Sequence, residues 1–287
     1  MIKIYEYRAV HDGPTVTIFG ALHGNEPCGP QAIQKITEKF ENKKLTLLRG
    51  RIILVPISNP LAYQKNKRYI DEDLNRIFRK TTRPKTYEQE LANILCGLID
   101  ATDVFVDVHS TGAKGPPTVF LDFPTHSNTA LAKSTGIHLA IVGWPKLYEN
   151  DKRLISYDTT VYAHDKKKDG ILVECGQHAD PNAPNVAEQV IIHVLKQYQM
   201  IPHGKNYHAA QPQKLKKIKM TELFIKEHKN DSFSRRWKHL EAVKKGQVIA
   251  KRNSGELIRA PNDRVMMLPK YSPPIGKEWF YLGLYTK

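Results

Sequence analysis

An apolar, β-branched run containing Val16, Ile18 and Phe19 stops at Gly20-Ala21-Leu22-His23, and Glu26 follows the histidine three positions later. A strand that ends in His-x-x-Glu delivers an imidazole and a carboxylate from one tight turn, so both can reach a single metal ion. Zinc accepts neutral histidine nitrogen and carboxylate oxygen, and a catalytic zinc site uses three protein ligands plus an open water position. The pair occurs often by chance, so its weight depends on a third donor. The run Val104-Phe105-Val106-Asp107-Val108-His109 supplies one, again with a histidine closing an apolar stretch. Asp107 and His109 are two apart on a strand and leave the same face. His109 therefore reads as the third ligand, and Asp107 as an acceptor that orients a ligand imidazole. His23 and His109 stand 86 positions apart (109 − 23). Two strands of one sheet, ending at the same edge, would unite them.

The first 200 residues fit such a sheet, because apolar strand-like runs alternate with helical periodicity, as in α/β proteins. Strands are expected at 16–21, 51–56, 104–109, 118–121, 137–142 and 170–174. Helices are expected at 30–40, 87–99 and 186–198, each with an apolar stripe at helical spacing that reads as core. Near residues 200–206 the composition turns to breakers, which marks a boundary. Two domains are expected, 1–206 and 207–287. Short strand-like pieces at 246–250, 255–261 and 265–268 make the second one a small β unit, spaced like a barrel-sandwich module.

The composition is that of an ordinary globular chain, with 40% apolar and 25% charged residues. No run approaches the ~18 apolar residues of a membrane span, and the N-terminus alternates like a strand rather than a signal peptide. A cytoplasmic location follows as the expectation. Cys28, Cys96 and Cys175 are odd in number and widely spaced, which argues against a disulfide framework. Each reads as a buried small hydrophobe, with Cys28 the closest to the presumed donors. The formal charge of +15 is spread along the chain, with local clusters at 166–168 and 214–219. No nucleic-acid-binding motif accompanies it, so it reads as solvated surface, or as a field that attracts anionic substrates.

Glu174 closes the run Ile171-Leu172-Val173 and precedes Cys175-Gly176. A carboxylate at the end of a buried strand is costly without a partner or a catalytic role. With it, four blocks stand in order: His23-Gly24-Asn25-Glu26, then Arg68-Tyr69-Ile70-Asp71-Glu72-Asp73-Leu74-Asn75-Arg76, then Asp107-Val108-His109, then Val173-Glu174-Cys175-Gly176. This series resembles the succinylglutamate desuccinylase/aspartoacylase family, a branch of the zinc-carboxypeptidase-like hydrolases, over roughly residues 15–200.

The resemblance implies an α/β fold with a zinc-carboxypeptidase-like mixed sheet flanked by helices, and a β-rich C-terminal domain covering the site entrance. It implies one Zn²⁺ per chain on His23, Glu26 and His109. Glu174 would pass the proton, with His178 the next candidate, and Arg68 would polarise the scissile carbonyl. Asn75 and Arg76 would grip a free carboxylate, for which a planar guanidinium fork is suited. The arginine that aspartoacylases carry shortly before the catalytic glutamate has no counterpart in 159–165. Tyr162 and His164 are the substitutes that stretch offers, and Tyr271 is the nearest match to the family's C-terminal tyrosine. The implied partner is a small anionic N-acyl amino acid, with neither nucleic acid nor membrane, and a homo-oligomer is compatible with the reading. Two alternatives stay open: a zinc carboxypeptidase acting on peptides, and a non-catalytic basic binding protein on the same scaffold.

Overall fold

The computed structural model describes residues 1–149, 157–203 and 214–286. Strands β1 (Tyr5–Arg8) and β2 (His11–Gly20) precede helix α1 (Cys28–Glu41) and strand β3 (Arg49–Val55). Helix α2 (Pro60–Gln64), a single 3-10 turn (Leu74–Arg76) and helix α3 (Tyr87–Asp100) lead to β4 (Val104–Thr111) and β5 (Thr118–Phe120). Then come α4 (His126–Ser134), β6 (Leu139–Val142), α5 (Trp144–Glu149), α6 (Thr159–Asp165), β7 (Asp169–Gln177) and α7 (Ala183–Gln197). The C-terminal part holds β8 (Lys216–Ile225), β9 (Ser232–Phe233), β10 (Ala242–Val243), β11 (Val248–Lys251), β12 (Leu257–Arg259), β13 (Arg264–Met267) and β14 (Glu278–Tyr285).

Eleven of these strands form one mixed sheet in the order β1-β3-β2-β4-β7-β5-β6-β8-β14-β13-β10. Its centre, β3-β2-β4-β7, is parallel. Alternation along each strand sends side chains to two buried layers. Val16, Ile18, Ile52 and Leu54 pack with Ile33 and Ile36 of α1 and Val190 and Val194 of α7. Phe19, Ile53, Val55 and Phe105 pack on the other face with Leu91, Leu95 and Ile99 of α3. Both faces are thus covered, as a parallel sheet requires. Parallel strands point their C-terminal ends the same way, and β2, β4 and β7 bring His23, His109 and Glu174 to one edge. Ligand sites in open α/β sheets form at that edge.

The expected strands and helices of the first 200 residues are present, with ends shifted by a few positions. Beyond residue 213 the sheet continues. Strand β8 pairs in parallel with β6, with Ile218 opposite Ile141, and β14 pairs with β8 from Glu278 to Tyr285. A separate three-stranded sheet, β12-β11-β9, packs around Trp237, Ile249, Trp279 and Phe280. The expected boundary at 206/207 lies outside the described residues. No helix among the described residues is long and apolar enough to cross a membrane. The three cysteines are buried and free.

Candidate active site

The turn after β2 is shaped by its neighbours. Ala21 adopts a positive φ of 44°, and a Cβ on Gly24 would lie 2.1 Å from the Ala62 carbonyl carbon of α2. Only glycine lets the backbone approach α2 this closely. The Gly24 N–H donates to the Arg68 carbonyl at 3.2 Å, which ties the first motif block to the second. That second loop is fixed from α3. The buried carboxylate of Glu88 accepts the N–H groups of Ile70, Asp71 and Glu72 at 2.7, 3.0 and 3.3 Å.

His23 Nδ1 lies 2.8 Å from Glu26 Oε1, and His109 Nδ1 lies 3.0 Å from Glu26 Oε2. One donor atom from each of the three buried residues falls within 4.8 Å of the others. The group could hold a metal ion. Behind it, His23 Nε2 meets Asp73 Oδ1 at 3.0 Å. His109 Nε2 is 3.0 Å from Asp107 Oδ2 but off the line of a straight hydrogen bond. Asp107 is fixed in turn by the Thr159 hydroxyl at 2.7 Å. Both imidazoles therefore present Nδ1 to the centre and turn Nε2 to a carboxylate, an arrangement that orients metal-binding histidines and raises their basicity. Burial alone would raise the Glu26 pKa, but the two imidazoles outweigh it and hold the group well below the usual carboxylate range. Cys28 is not part of the group; its thiol donates to the His109 carbonyl at 3.3 Å.

Glu174 lies opposite His109 in the β4–β7 register. Its Oε2 is buried without a hydrogen-bond partner. Burial, reinforced by the charge of Glu26, pushes its carboxyl up to about 8. Arg68 donates from Nε to Asp73 Oδ2 at 2.9 Å, so one carboxylate orients both His23 and Arg68. Ser110 Oγ pairs with His178 Nδ1 at 2.8 Å on the same wall. All these groups open on a cavity of about 760 Å³.

Asn75 and Arg76 also line this cavity. Arg76 is engaged on two sides: Nε donates to Glu278 Oε1 at 2.8 Å and Nη1 to the Asn75 carbonyl at 2.9 Å. Glu278 further accepts from Tyr148 at 2.9 Å and Lys270 at 3.1 Å, and Tyr148 meets the Tyr281 hydroxyl at 2.7 Å. Burial opposes ionisation of Glu278, but Arg76 and Lys270 outweigh it and hold its pKa well below the usual range.

Tyr271 lines the cavity, with its hydroxyl bonded to the Trp237 carbonyl. Tyr162 and His164 are not brought to the cavity. They fall on α6, which turns them elsewhere: Tyr162 is buried against Phe78 and donates to Asp100 at 2.9 Å, and His164 is exposed and stacks on Phe123 at 3.8 Å. The groups that sequence reasoning missed are Glu278, Lys270, Tyr148, Tyr281 and Asp122. The pairing register shifts between Glu278 and Phe280. Glu278 and Tyr281, three apart, thereby both reach Tyr148, where a strict period of two would separate them. A glutamate opening an aromatic strand was the available signal. The lining also has a sign of its own. Eight of its side chains are Asp or Glu and four are Lys or Arg. The chain as a whole carries +15, so the basic surplus lies elsewhere.

The profile of the succinylglutamate desuccinylase/aspartoacylase catalytic domain matches residues 12–198, which contain His23, Glu26, Arg68, Asn75, Arg76, His109 and Glu174. The chain belongs to this family. A probable aspartoacylase of Nostoc sp. is 34% identical over 114 residues, covering 34% of this chain and 36% of that protein. Aspartoacylase of Rattus norvegicus is 32% identical over 119 residues, 37% of each chain. The N-alpha-acetyl-L-2,4-diaminobutyric acid deacetylase of Halomonas elongata is 27% identical over 200 residues, 66% of this chain and 56% of that one. The aligned stretches thus span about a third to a little over half of these relatives. Among solved structures, a succinylglutamate desuccinylase/aspartoacylase from Rhodobacter sphaeroides superposes with a TM-score of 0.76 at 18% identity, over 99% of this chain and 90% of that one. The product-bound ectoine utilization protein EutE (DoeB) from Ruegeria pomeroyi gives a TM-score of 0.74 at 20% identity, over 98% and 88%. The family's fold therefore extends through the C-terminal strands.

Proposed function

We propose that this chain is a zinc-dependent amidohydrolase that cleaves an N-acyl amino acid to a carboxylate and a free amine, with one Zn²⁺ per chain on His23, Glu26 and His109. The observation that carries the reading is one cavity lined by a buried His-Glu-His group and by a carboxyl, Glu174, whose pKa is pushed up to about 8. The donor set fits the metal: two neutral nitrogens and one carboxylate oxygen suit a catalytic zinc site. Bound zinc lowers the pKa of a coordinated water to about 7 and so supplies a nucleophile at neutral pH.

The protein groups account for the rest. Glu174 is suited to take a proton and return it to the departing nitrogen, because a catalytic acid–base works best with a pKa near the operating pH. Arg68, steadied by Asp73, would stabilise charge on the carbonyl oxygen. Arg76 has five N–H groups, and the two bonds it makes leave donors for the substrate's free carboxylate beside Asn75. The segment from Leu268 to Glu278 forms part of the cavity wall. It supports a C-terminal β unit, from about residue 207, that covers the entrance. A cavity of about 760 Å³ is of the size that encloses a small ligand, which favours an acylamino acid over a long peptide.

Elemental analysis of the purified chain and a panel of N-acyl amino acids test this reading together. Near-stoichiometric zinc, lost in His109→Ala along with turnover, is expected. Full zinc retention in that variant would remove His109 from the ligand set. A zinc-loaded chain that cleaves no member of the panel would reject the reaction.

A further inference from the structure

Lys270 lines the cavity but takes no part in the reaction as proposed above. Its place, between β13 and β14, is fixed from three sides. The Lys270 N–H donates to the Trp279 carbonyl at 2.9 Å, which ties the segment to β14. Two residues earlier, Leu268 adopts a positive φ of 46°, and its N–H donates to Nδ1 of the buried His239 at 3.0 Å. Burial pushes the His239 imidazole down to about 3, so the ring stays neutral and can accept that bond. One residue later, the Tyr271 hydroxyl is bonded to the Trp237 carbonyl. The side chain held by these anchors turns to Glu278, with Nζ 3.1 Å from Oε2. The other oxygen, Oε1, takes Arg76 Nε at 2.8 Å. An ammonium and a guanidinium thus stand side by side on one carboxylate.

The two cations share that ion-pair partner, and each keeps donors for something else. Lys270 spends one of its three N–H groups on Glu278, and Arg76 spends two of five on Glu278 and the Asn75 carbonyl. Burial lowers the Lys270 pKa, Glu278 opposes it, and Arg68 and Arg76 add to the lowering. Positive groups crowded in this way favour a bound anion, which relieves their mutual repulsion. We propose that Lys270 and Arg76 close on the substrate's free carboxylate from opposite walls, which makes Lys270 a specificity-determining residue supplied by the C-terminal strands. This rests on the proposed deacylation and adds to it how the carboxylate is recognised. Asn75 and Arg76 come from the loop before α3, and Lys270 meets them from the far side of the cavity. A substrate whose carboxylate is replaced by a carboxamide leaves both cations short of a partner and is disfavoured.

The test measures kcat and KM of the zinc-loaded full chain on the N-acetyl derivatives of alanine, methionine and aspartate and on their α-carboxamides. The wild type should favour at least one free acid over its carboxamide by about tenfold or more in kcat/KM, the size of one well-placed charge contact. Lys270→Met keeps the apolar stem and removes the charge. It should raise KM for that acid about tenfold with a smaller change in kcat, the pattern of lost ground-state binding, and leave the carboxamide within about threefold of wild type. Lys270→Arg should recover most of the loss. An equal effect on acid and carboxamide would make Lys270 a structural residue. An unchanged KM, or a wild type indifferent to the carboxamide, would also overturn the clamp, and each of these outcomes leaves the deacylation intact. Lys270→Gln replaces Lys270→Met if the latter does not fold. If no N-acetyl substrate is cleaved, the deacylation has failed on its own. Calorimetric titration of the wild type and Lys270→Met with N-acetylmethionine and its carboxamide then still tests the clamp. Tighter binding of the acid, lost in the variant, supports it, and no difference rejects it.

Discussion

The ends of β2, β4 and β7 and the segment from Leu268 to Glu278 face one another across the same cavity, but they are assembled differently. On the first side, each candidate residue sits at or near the C-terminal end of a parallel strand, and the sheet itself brings the strand ends together. His109 and Glu174 are opposite one another simply because β4 and β7 pair in register. On the second side, Lys270, Glu278 and Tyr281 arrive only because β8 joins β6 and β14 returns along β8 with a shifted register. A short strand-end motif is thus enough to describe half of the site. The other half depends on where a distant strand docks. The two sides are joined by the Arg76–Glu278 pair, 2.8 Å long between residues 202 positions apart.

The comparison breaks most visibly if the second side can be removed. A chain ending at residue 203 would lose β8 and β14, leaving the edge of β6 unpaired and uncovering Phe120, Ile141, Trp144 and Leu172. It should not give a cooperative thermal transition, since an exposed apolar edge invites aggregation. A soluble, two-state fragment by calorimetry would make the C-terminal wall an accessory rather than part of the sheet.

A sharper contrast lies within the first side. Glu174→Gln should retain zinc by elemental analysis and lose about 10²–10⁴ in kcat, the usual cost of removing a general base. Activity within a few-fold of wild type would move the proton transfer to another group, with His178 first in line.

Glu278→Ala tests the join. It leaves Arg76 facing Trp144 and Tyr148 without its carboxylate, and breaking a partly buried pair of this kind costs about 3–5 kcal/mol. Urea denaturation should show the loss. A change below about 1 kcal/mol would class the pair with weak surface ion pairs.

The smallest effect is in pH. In the metal-free chain Glu174 is pushed from an ordinary 4.5 up to about 8. Between those values the folded protein binds a proton that the unfolded chain has released, so stability falls as pH rises. Relative to metal-free Glu174→Gln, the metal-free wild type should therefore lose a few degrees of melting temperature between pH 5 and 8. A constant gap between the two would show that Glu174 is not raised.

Much of the first side was legible. His23, Glu26, His109 and Glu174 end or follow apolar runs, and a parallel sheet turns that linear fact into a place. Arg68, Asn75 and Arg76 were legible as one dense block, although their partners were not. Glu88 looks like an ordinary residue in the first turn of a helix, and nothing local marks it as the acceptor for three loop amides. Tyr162 and His164 lie in the stretch before Glu174 where the family carries its arginine, but position along the chain does not fix which way a helix turns them. The helical phase of α6 instead directs Tyr162 into the core and His164 outward. Glu278 and Tyr281 were hidden by the register shift in β14, and Asp122 by its bland position just after a three-residue strand.

Asp73 spends its two oxygens on different tasks, one on His23 and one on Arg68. The electrostatics of His23 and of Arg68 are therefore coupled through one carboxylate. A substitution at position 68 releases charge that His23 will feel, and a substitution at position 23 frees Asp73 to hold Arg68 more tightly. Positions 23, 68 and 73 form an epistatic trio whose double-mutant cycles should not close to zero.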